Sequence, residues 1–247
     1  MNVQFDFSGQ TVLITGGITG IGAATARAFM AAGAQVICCG IGRTELDAAR
    51  ADAELGKATI AELDVTDKSA VDAFIGKLGQ LDHVVNCAGI IARDAEHDPV
   101  RFDQVMNVHV GGSMRVSTAA RPLLKASRQG GSIVMIGSVM SYFGGPKQPA
   151  YSSAKGALKN LTMSLACAYA ADGIRVNAVA PGWVITELSR GARENPERYA
   201  QIMARVPVGR WAEPAEIADP ILFLCSDAAR YMTGTMMPVD GGYLSMG

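Results

Sequence analysis

The sequence predicts an α/β protein built on a parallel sheet with helices on both faces. Short apolar runs alternate with amphipathic stretches from end to end of the 247 residues. A glycine-rich turn joins the first apolar run directly to the first helical stretch. No linker, internal repeat or low-complexity segment divides the chain, which is long enough to bury one large core. Strands alternating with helices imply parallel pairing, because each crossover helix returns the chain to the same edge of the sheet. Such sheets bind ligands beyond the carboxyl ends of their strands.

Taken in order, strands are predicted at residues 11–15 (TVLIT), 35–39 (QVICC), 59–63 (TIAEL), 83–86 (HVVN), 132–137 (SIVMIG), 175–180 (RVNAVA) and 235–239 (TMMPV). Residues 21–32 carry small and apolar residues at helical spacing and end at Gly33. The stretch 151–171 puts Ala154, Leu158, Leu161, Leu165 and Ala168 on one stripe and stops at Gly173. Residues 185–206, with mixed charge and Pro196, are the least regular part. They read either as an active-site lid or as a solvated pair of surface helices.

Composition narrows the function. Apolar residues make up 49% and charged residues 18%, which describes a globular interior rather than a disordered chain. Net charge is −1 with no basic run of five, so neither nucleic acid nor a membrane is expected as a partner. The first ten residues, MNVQFDFSGQ, have no apolar leader core, and a cytoplasmic location is expected. Cys38, Cys39, Cys87, Cys167 and Cys225 contain no C-x-x-C pair and read as buried free thiols. His83, His97 and His109 have no ligand-like spacing, so no metal is expected.

The most informative spacing is Tyr151 and Lys155, with Ser138 thirteen positions earlier. Residues at i and i+4 share a helix face, so an ammonium stands beside a phenol. A positive neighbour favours phenolate, and such a tyrosine exchanges protons with an alcohol or ketone oxygen. A serine hydroxyl arriving from the preceding strand holds the same oxygen. The turn Gly16-Gly17-Ile18-Thr19-Gly20-Ile21-Gly22 lets a pyrophosphate approach backbone N–H groups at a helix start.

Gly16/Gly20/Gly22, Asn86-Cys87-Ala88-Gly89, Asn107, Ser138, Tyr151/Lys155 and Pro181-Gly182-x-x-x-Thr186 occur in one order. Together they closely resemble the short-chain dehydrogenase/reductase family in its one-domain form, over essentially the whole chain. The resemblance implies a single-domain Rossmann fold: a seven-stranded parallel sheet with NAD or NADP at the strand ends and helices on both faces. It makes Tyr151 the acid/base, with Lys155 lowering its pKa and binding the nicotinamide ribose. It has Ser138 orient the substrate oxygen, and Asn107 hold a water that links Lys155 to solvent. It lines the cofactor with Gly16, Thr19, Gly20, Ile21, Gly22, Asp64, Val65, Asn86, Ala88, Gly89, Pro181, Gly182, Val184 and Thr186. Cys87 departs from the usual second asparagine and reads as a small hydrophobe rather than a nucleophile.

The end of the second strand carries Gly40 where NAD-using members place an acid, and Arg43 follows. This tips the expected cofactor slightly toward NADP over NAD. Arg93, Met140, Tyr142, Gln148 and Trp183 are the candidate substrate residues, mixing polar and aromatic groups. They suit a small hydroxylated or carboxylated substrate, and the resemblance extends to members acting on sugar acids. A 3-oxoacyl carrier-protein reductase is the second reading, with Arg121, Lys125 and Arg128 as its basic docking patch. A non-catalytic nucleotide sensor is the third. The resemblance also implies a homotetramer or homodimer.

Overall fold

The computed structural model describes residues 5–246. Its seven strands are β1 (Thr11–Thr15), β2 (Gln35–Gly40), β3 (Thr59–Glu62), β4 (His83–Asn86), β5 (Ser132–Ile136), β6 (Arg175–Pro181) and β7 (Met236–Val239). All pair in parallel, in the order β3-β2-β1-β4-β5-β6-β7. The order reverses between β1 and β4, and loops diverging there open a crevice at the strand ends.

Alternate residues of each strand feed two separate cores. Val12, Ile14, Cys38, Val85 and Val134 face helices α1 (Gly20–Ala31) and α9 (Ala215–Cys225) through Ala26, Phe29, Ile217 and Ile221. Leu13, Cys39, Val84 and Met135 face the other way. There they meet α3 (Lys68–Ile75), α5 (Gly112–Lys125) and α6 (Pro149–Tyr169) through Val71, Val116, Leu158 and Leu165. Cys38 and Cys39 therefore lie on opposite faces, as strand alternation requires.

Two helical details differ from expectation. The buried stripe of α6 continues through Leu165, Ala166 and Tyr169, while Ala168 is exposed. Cys167, on the same outer face, is also exposed, and Cys87 is half-buried; the remaining three thiols are buried. Helix α4 (Pro99–Met106), started by Pro99 and capped by Asp98, runs into α5 through a wide π-helical turn, Asn107–Gly111. π turns arise where one extra residue must be absorbed within a helix, and they concentrate at functional sites.

At the opposite end of the sheet, His83 is buried between Ser132 Oγ (2.8 Å) and Gln10 Oε1 (2.5 Å). Burial pushes its imidazole down to about 4. The irregular segment 185–206 holds two short helices, α7 (Arg190–Arg193) and α8 (Pro196–Met203). No helix among the described residues is long and apolar enough to cross a membrane.

Candidate active site

Tyr151 and Lys155 lie one turn apart near the start of α6, and Ser138 caps the turn that follows β5. The Ser138 hydroxyl accepts from Met140 N at 3.1 Å and lies near enough to the Tyr151 phenol to hold its pKa down. Two groups lock this arrangement that the sequence reading did not single out. Ser141 Oγ accepts from Ser138 N (3.3 Å) and donates to Lys155 O (2.7 Å), fastening the turn to α6. Glu96, 1% exposed, accepts from Tyr151 N (2.8 Å) and Ala92 N (2.9 Å), tying the loop after β4 to the helix start. A carboxylate is well placed there, against the positive end of α6.

The electrostatics reverse one expectation. Burial pushes the Tyr151 phenol up to about 12, against the opposing hydrogen bond from Ser138. Burial likewise pulls Lys155 down to about 8. Lys155 Nζ donates to Ile136 O at 2.6 Å and lies 5.3 Å from the centre of the Tyr151 ring. Desolvation thus dominates both groups, and the phenol of this structure is a proton donor at neutral pH.

Asn107 does not join the site. It is exposed, and its Oδ1 accepts from Arg115 at 2.6 Å on the outer side of the π turn. The extra residue in that turn rotates His109 inward instead. His109 is 1% exposed and meets the Tyr151 ring edge-on, at 5.4 Å between centroids and 86°. Its Nε2 lies 2.8 Å from Ile90 O and 3.1 Å from Ile90 N, while Nδ1 is buried without a partner. A side chain at Gly89 would run into this imidazole, which explains the glycine there.

The turn after β1 forms a cradle. Gly16 and Gly20 have φ of +65° and +52°, and a Cβ on Gly16 would meet the Ala88 backbone at 2.8 Å. A Cβ on Gly22 would strike the Gly16 carbonyl. Thr19 makes no side-chain cap, so the first amides of α1, from Gly20 and Ile21, are available to an anion. Thr186 packs close over Gly20: its Cγ2 would lie 3.3 Å from a Cβ built there. The Ala88 backbone and the Thr186 side chain thus stand on either side of the glycine turn.

Farther along, Asp64 is exposed at the end of β3, with Oδ1 held by Thr66 (2.8 and 2.7 Å). Val65 is buried beneath Gly112, and Asn86 turns its side chain to Ser117 (3.2 Å). Both therefore offer backbone, not side chain, to a ligand. Val184 is buried and bridges to Ala212, and a Cβ on Gly182 would meet Asp240 Cα at 2.7 Å, so Pro181-Gly182 packs against the end of β7. At the end of β2, the space beside Gly40 is filled by Ile18, and Arg43 is 95% exposed with only a 3.8 Å pair to Asp47. Burial pushes the Cys87 thiol up to about 11, which argues against a nucleophile. Among the described residues, no cluster of three or more His, Cys, Asp or Glu could hold a metal ion.

A cavity of about 620 Å³ opens beside this site. The Ser138 and Tyr151 hydroxyls do not line it; it abuts them through Met140 and Gln148. Arg93 and Trp183 line it as predicted, and Arg93 donates to Gln148 Oε1 at 2.6 Å. Tyr142 does not: it is exposed on the far side, under Lys159 (4.4 Å) and donating to Met236 O (3.2 Å). Phe143, the next residue, faces the cavity in its place. The segment 185–206 adds Arg198 and Arg205, which sequence reading missed because nothing marks them among the other surface charges there. Arg198 lies over Trp183 (5.8 Å) and Arg205 over Tyr243 (4.4 Å). Burial and the charge of Arg93 push Arg198 below its ordinary pKa.

Known proteins resemble this chain along its length. A family model described as enoyl-(acyl carrier protein) reductase matches residues 16–244. The galactitol 2-dehydrogenase (L-tagatose-forming) of Cereibacter sphaeroides is 41% identical, covering 97% of this chain and 96% of that one. The 2-dehydro-3-deoxy-D-gluconate 5-dehydrogenase of Pseudoalteromonas atlantica is 34% identical, covering 98% of each. A crystal structure from Beutenbergia cavernae, provisionally assigned as an NAD(P)-dependent gluconate 5-dehydrogenase with bound NADP, superposes with a TM-score of 0.89. It is 36% identical over 98% of this chain and 100% of that one.

Proposed function

The chain belongs to the short-chain dehydrogenase/reductase family, and from that membership we propose that it is an NADP-preferring dehydrogenase of small acidic sugar derivatives. One observation carries the substrate class. Four cations, Arg93, Lys147, Arg198 and Arg205, line the cavity against a single acid, Glu197. Lys147 pairs with Asp94 at 3.4 Å, whereas Arg198 and Arg205 rest on aromatic rings and join no ion pair among the described residues. Unpaired guanidinium groups at the mouth of a polar pocket suit a carboxylate. In this reading 185–206 is a lid that carries two of the anion-binding groups.

The chain's own residues handle the oxygen and its proton. Ser138 and Tyr151 hold the carbonyl or carbinol oxygen; Tyr151 gives up its proton in ketone reduction and takes one in alcohol oxidation. Lys155, near its titration point at about 8, restores the charge balance beside the phenol. Bound NAD(P)(H) supplies or accepts the hydride. Gly16, Gly20, Ile21, Ala88 and Thr186 would hold its pyrophosphate, and Asp64 its adenine. Gly40 supplies no acid to repel a 2′-phosphate and Arg43 is free to meet one, which supports NADP.

A 3-oxoacyl carrier-protein reductase, the second reading, draws on the description of the family model. Its docking patch is weakened, because Arg121 and Lys125 share Asp172, at 2.6 and 2.8 Å, which leaves one net charge there beside Arg128. The third reading, a nucleotide sensor, leaves the joined Ser138, Tyr151 and Lys155 without a purpose. We expect a homodimer or homotetramer through α5 and α6, whose outer faces expose Met114 and Met163, and a cytoplasmic location. The test is nicotinamide absorbance with NAD(H) and NADP(H) across polyols, sugar acids, keto-deoxy sugar acids and 3-oxoacyl thioesters. NADP-dependent turnover of sugar acids alone is expected. Turnover confined to thioesters, or to neutral polyols, would overturn the reading.

A further inference from the structure

We propose that His109 is a positioning residue of the proton-handling site: its bare Nδ1 is the buried acceptor that holds the Lys155 ammonium, directly or through one water, beside Tyr151. The proposal rests on the reading of Tyr151 and Lys155 given above. It assigns to the inward-facing residue of the π turn the part that the family resemblance gave to Asn107.

The tautomer follows from the contacts. A neutral imidazole nitrogen is either a donor or an acceptor, so Nε2 cannot serve both Ile90 O at 2.8 Å and Ile90 N at 3.1 Å. The shorter contact puts the proton on Nε2, so that it donates to Ile90 O at the cost of accepting from Ile90 N, and Nδ1 keeps a lone pair. Electrostatics agree, since a lone pair near an ammonium is favourable and an N–H dipole is not. Burial and the charge of Lys155 together push His109 down to about 3, so the ring is neutral wherever the enzyme is folded and active.

That lone pair needs a donor. Nδ1 is fully buried and unpartnered, on a side chain 1% exposed. A buried polar atom without a partner costs stability and is rarely left so without a function. Lys155 has protons to spare, because its ammonium carries three and the structure commits one to Ile136 O. Both residues border the same phenol ring, Lys155 Nζ at 5.3 Å and the imidazole edge-on at 5.4 Å from its centroid. The other polar groups nearby are unsuited. Cys87 is a neutral thiol, Glu96 is occupied by the Ala92 and Tyr151 amides, and Arg115 is turned outward to Asn107. An acceptor on Lys155 favours its charged form and so opposes the depression that burial imposes.

The test uses the full chain, NADPH and the best ketone from the substrate panel, with two variants. His109→Phe keeps an aromatic edge against Tyr151 but removes the acceptor; His109→Asn returns a short acceptor. For His109→Phe we expect kcat to fall about tenfold with KM within about threefold. The alkaline limb of its pH profile should move down by about one unit, the scale of one hydrogen bond to a charged group. His109→Asn should recover most of both. Independently of turnover, ¹⁵N NMR of the wild-type imidazole should show the Nε2–H tautomer, without titration between pH 5 and 9. An Nδ1–H tautomer, an unmoved pH limb in His109→Phe, or equal losses of kcat and thermal stability in both variants would each overturn the proposal. If no ketone turns over, the functional reading fails, and the NMR result still decides how His109 is placed.

Discussion

Lowering the pH from 6.5 to 5 should destabilise this protein by about 3 kcal/mol, almost all of it through two histidines. His83 and His109 sit at about 4 and about 3, because burial disfavours their charged forms. In the unfolded chain both return to about 6.5. A group whose folded pKa is depressed binds more protons when unfolded, so stability falls as the pH drops below the unfolded value. At pH 6.5 the unfolded histidines are half protonated and by pH 5 almost fully so, an average excess of about 0.8 proton each over the folded state; across 1.5 pH units at about 1.36 kcal/mol per unit this is roughly 1.6 kcal/mol each. The carboxylates held low by partners, among them Asp52, Asp82, Asp172 and Glu216, add their losses only at lower pH. The window above pH 5 therefore isolates the histidines. Urea unfolding at both pH values measures it, with His83→Gln and His109→Gln each expected to halve the pH dependence. An unchanged dependence in both variants would refute the reasoning.

Three further outcomes test the site. Tyr151→Phe should lower kcat by about a hundredfold or more while NADPH still binds by fluorescence titration, since only the transferable proton is lost. Arg198→Ala should raise KM for a sugar acid by about tenfold and leave a matched neutral polyol unaffected; equal effects on both would mean Arg198 acts on the fold of 185–206. Arg43→Ala should lower kcat/KM with NADP by about tenfold and spare NAD, and an equal loss with both cofactors would remove Arg43 from phosphate recognition.

The strands were legible because each is a short run of buried aliphatic residues between polar turns, and every predicted boundary lies within one residue of the structure. The joined Ser138, Tyr151 and Lys155 were legible because one strand end and one helical turn position all three. What failed was anything that depended on which way a residue faces from an irregular element. A π turn leaves no trace in the polar–apolar pattern, so Asn107 was preferred to His109. Tyr142 and Phe143 are neighbours of similar character, and only the short helical turn after Ser138 decides which enters the cavity. Ala168 and Cys167 are exposed because the buried face of α6 runs from Leu165 to Ala166 and Tyr169, positions of which the apolar stripe read from sequence held only Leu165.

The packing of Ile18 beside Gly40 has a consequence for how this site could change over mutational time. An acid at position 40 would favour the ribose hydroxyl of NAD, but its first carbon would have to enter space that Ile18 already fills. The single change then carries a steric cost before any benefit with NAD appears. The reverse order, a smaller residue at position 18 first, opens a small gap at the edge of the core that a core of this size tolerates. An acid at position 40 is thus tied to the glycine turn, since Ile18 must shift or shrink before the new side chain can settle.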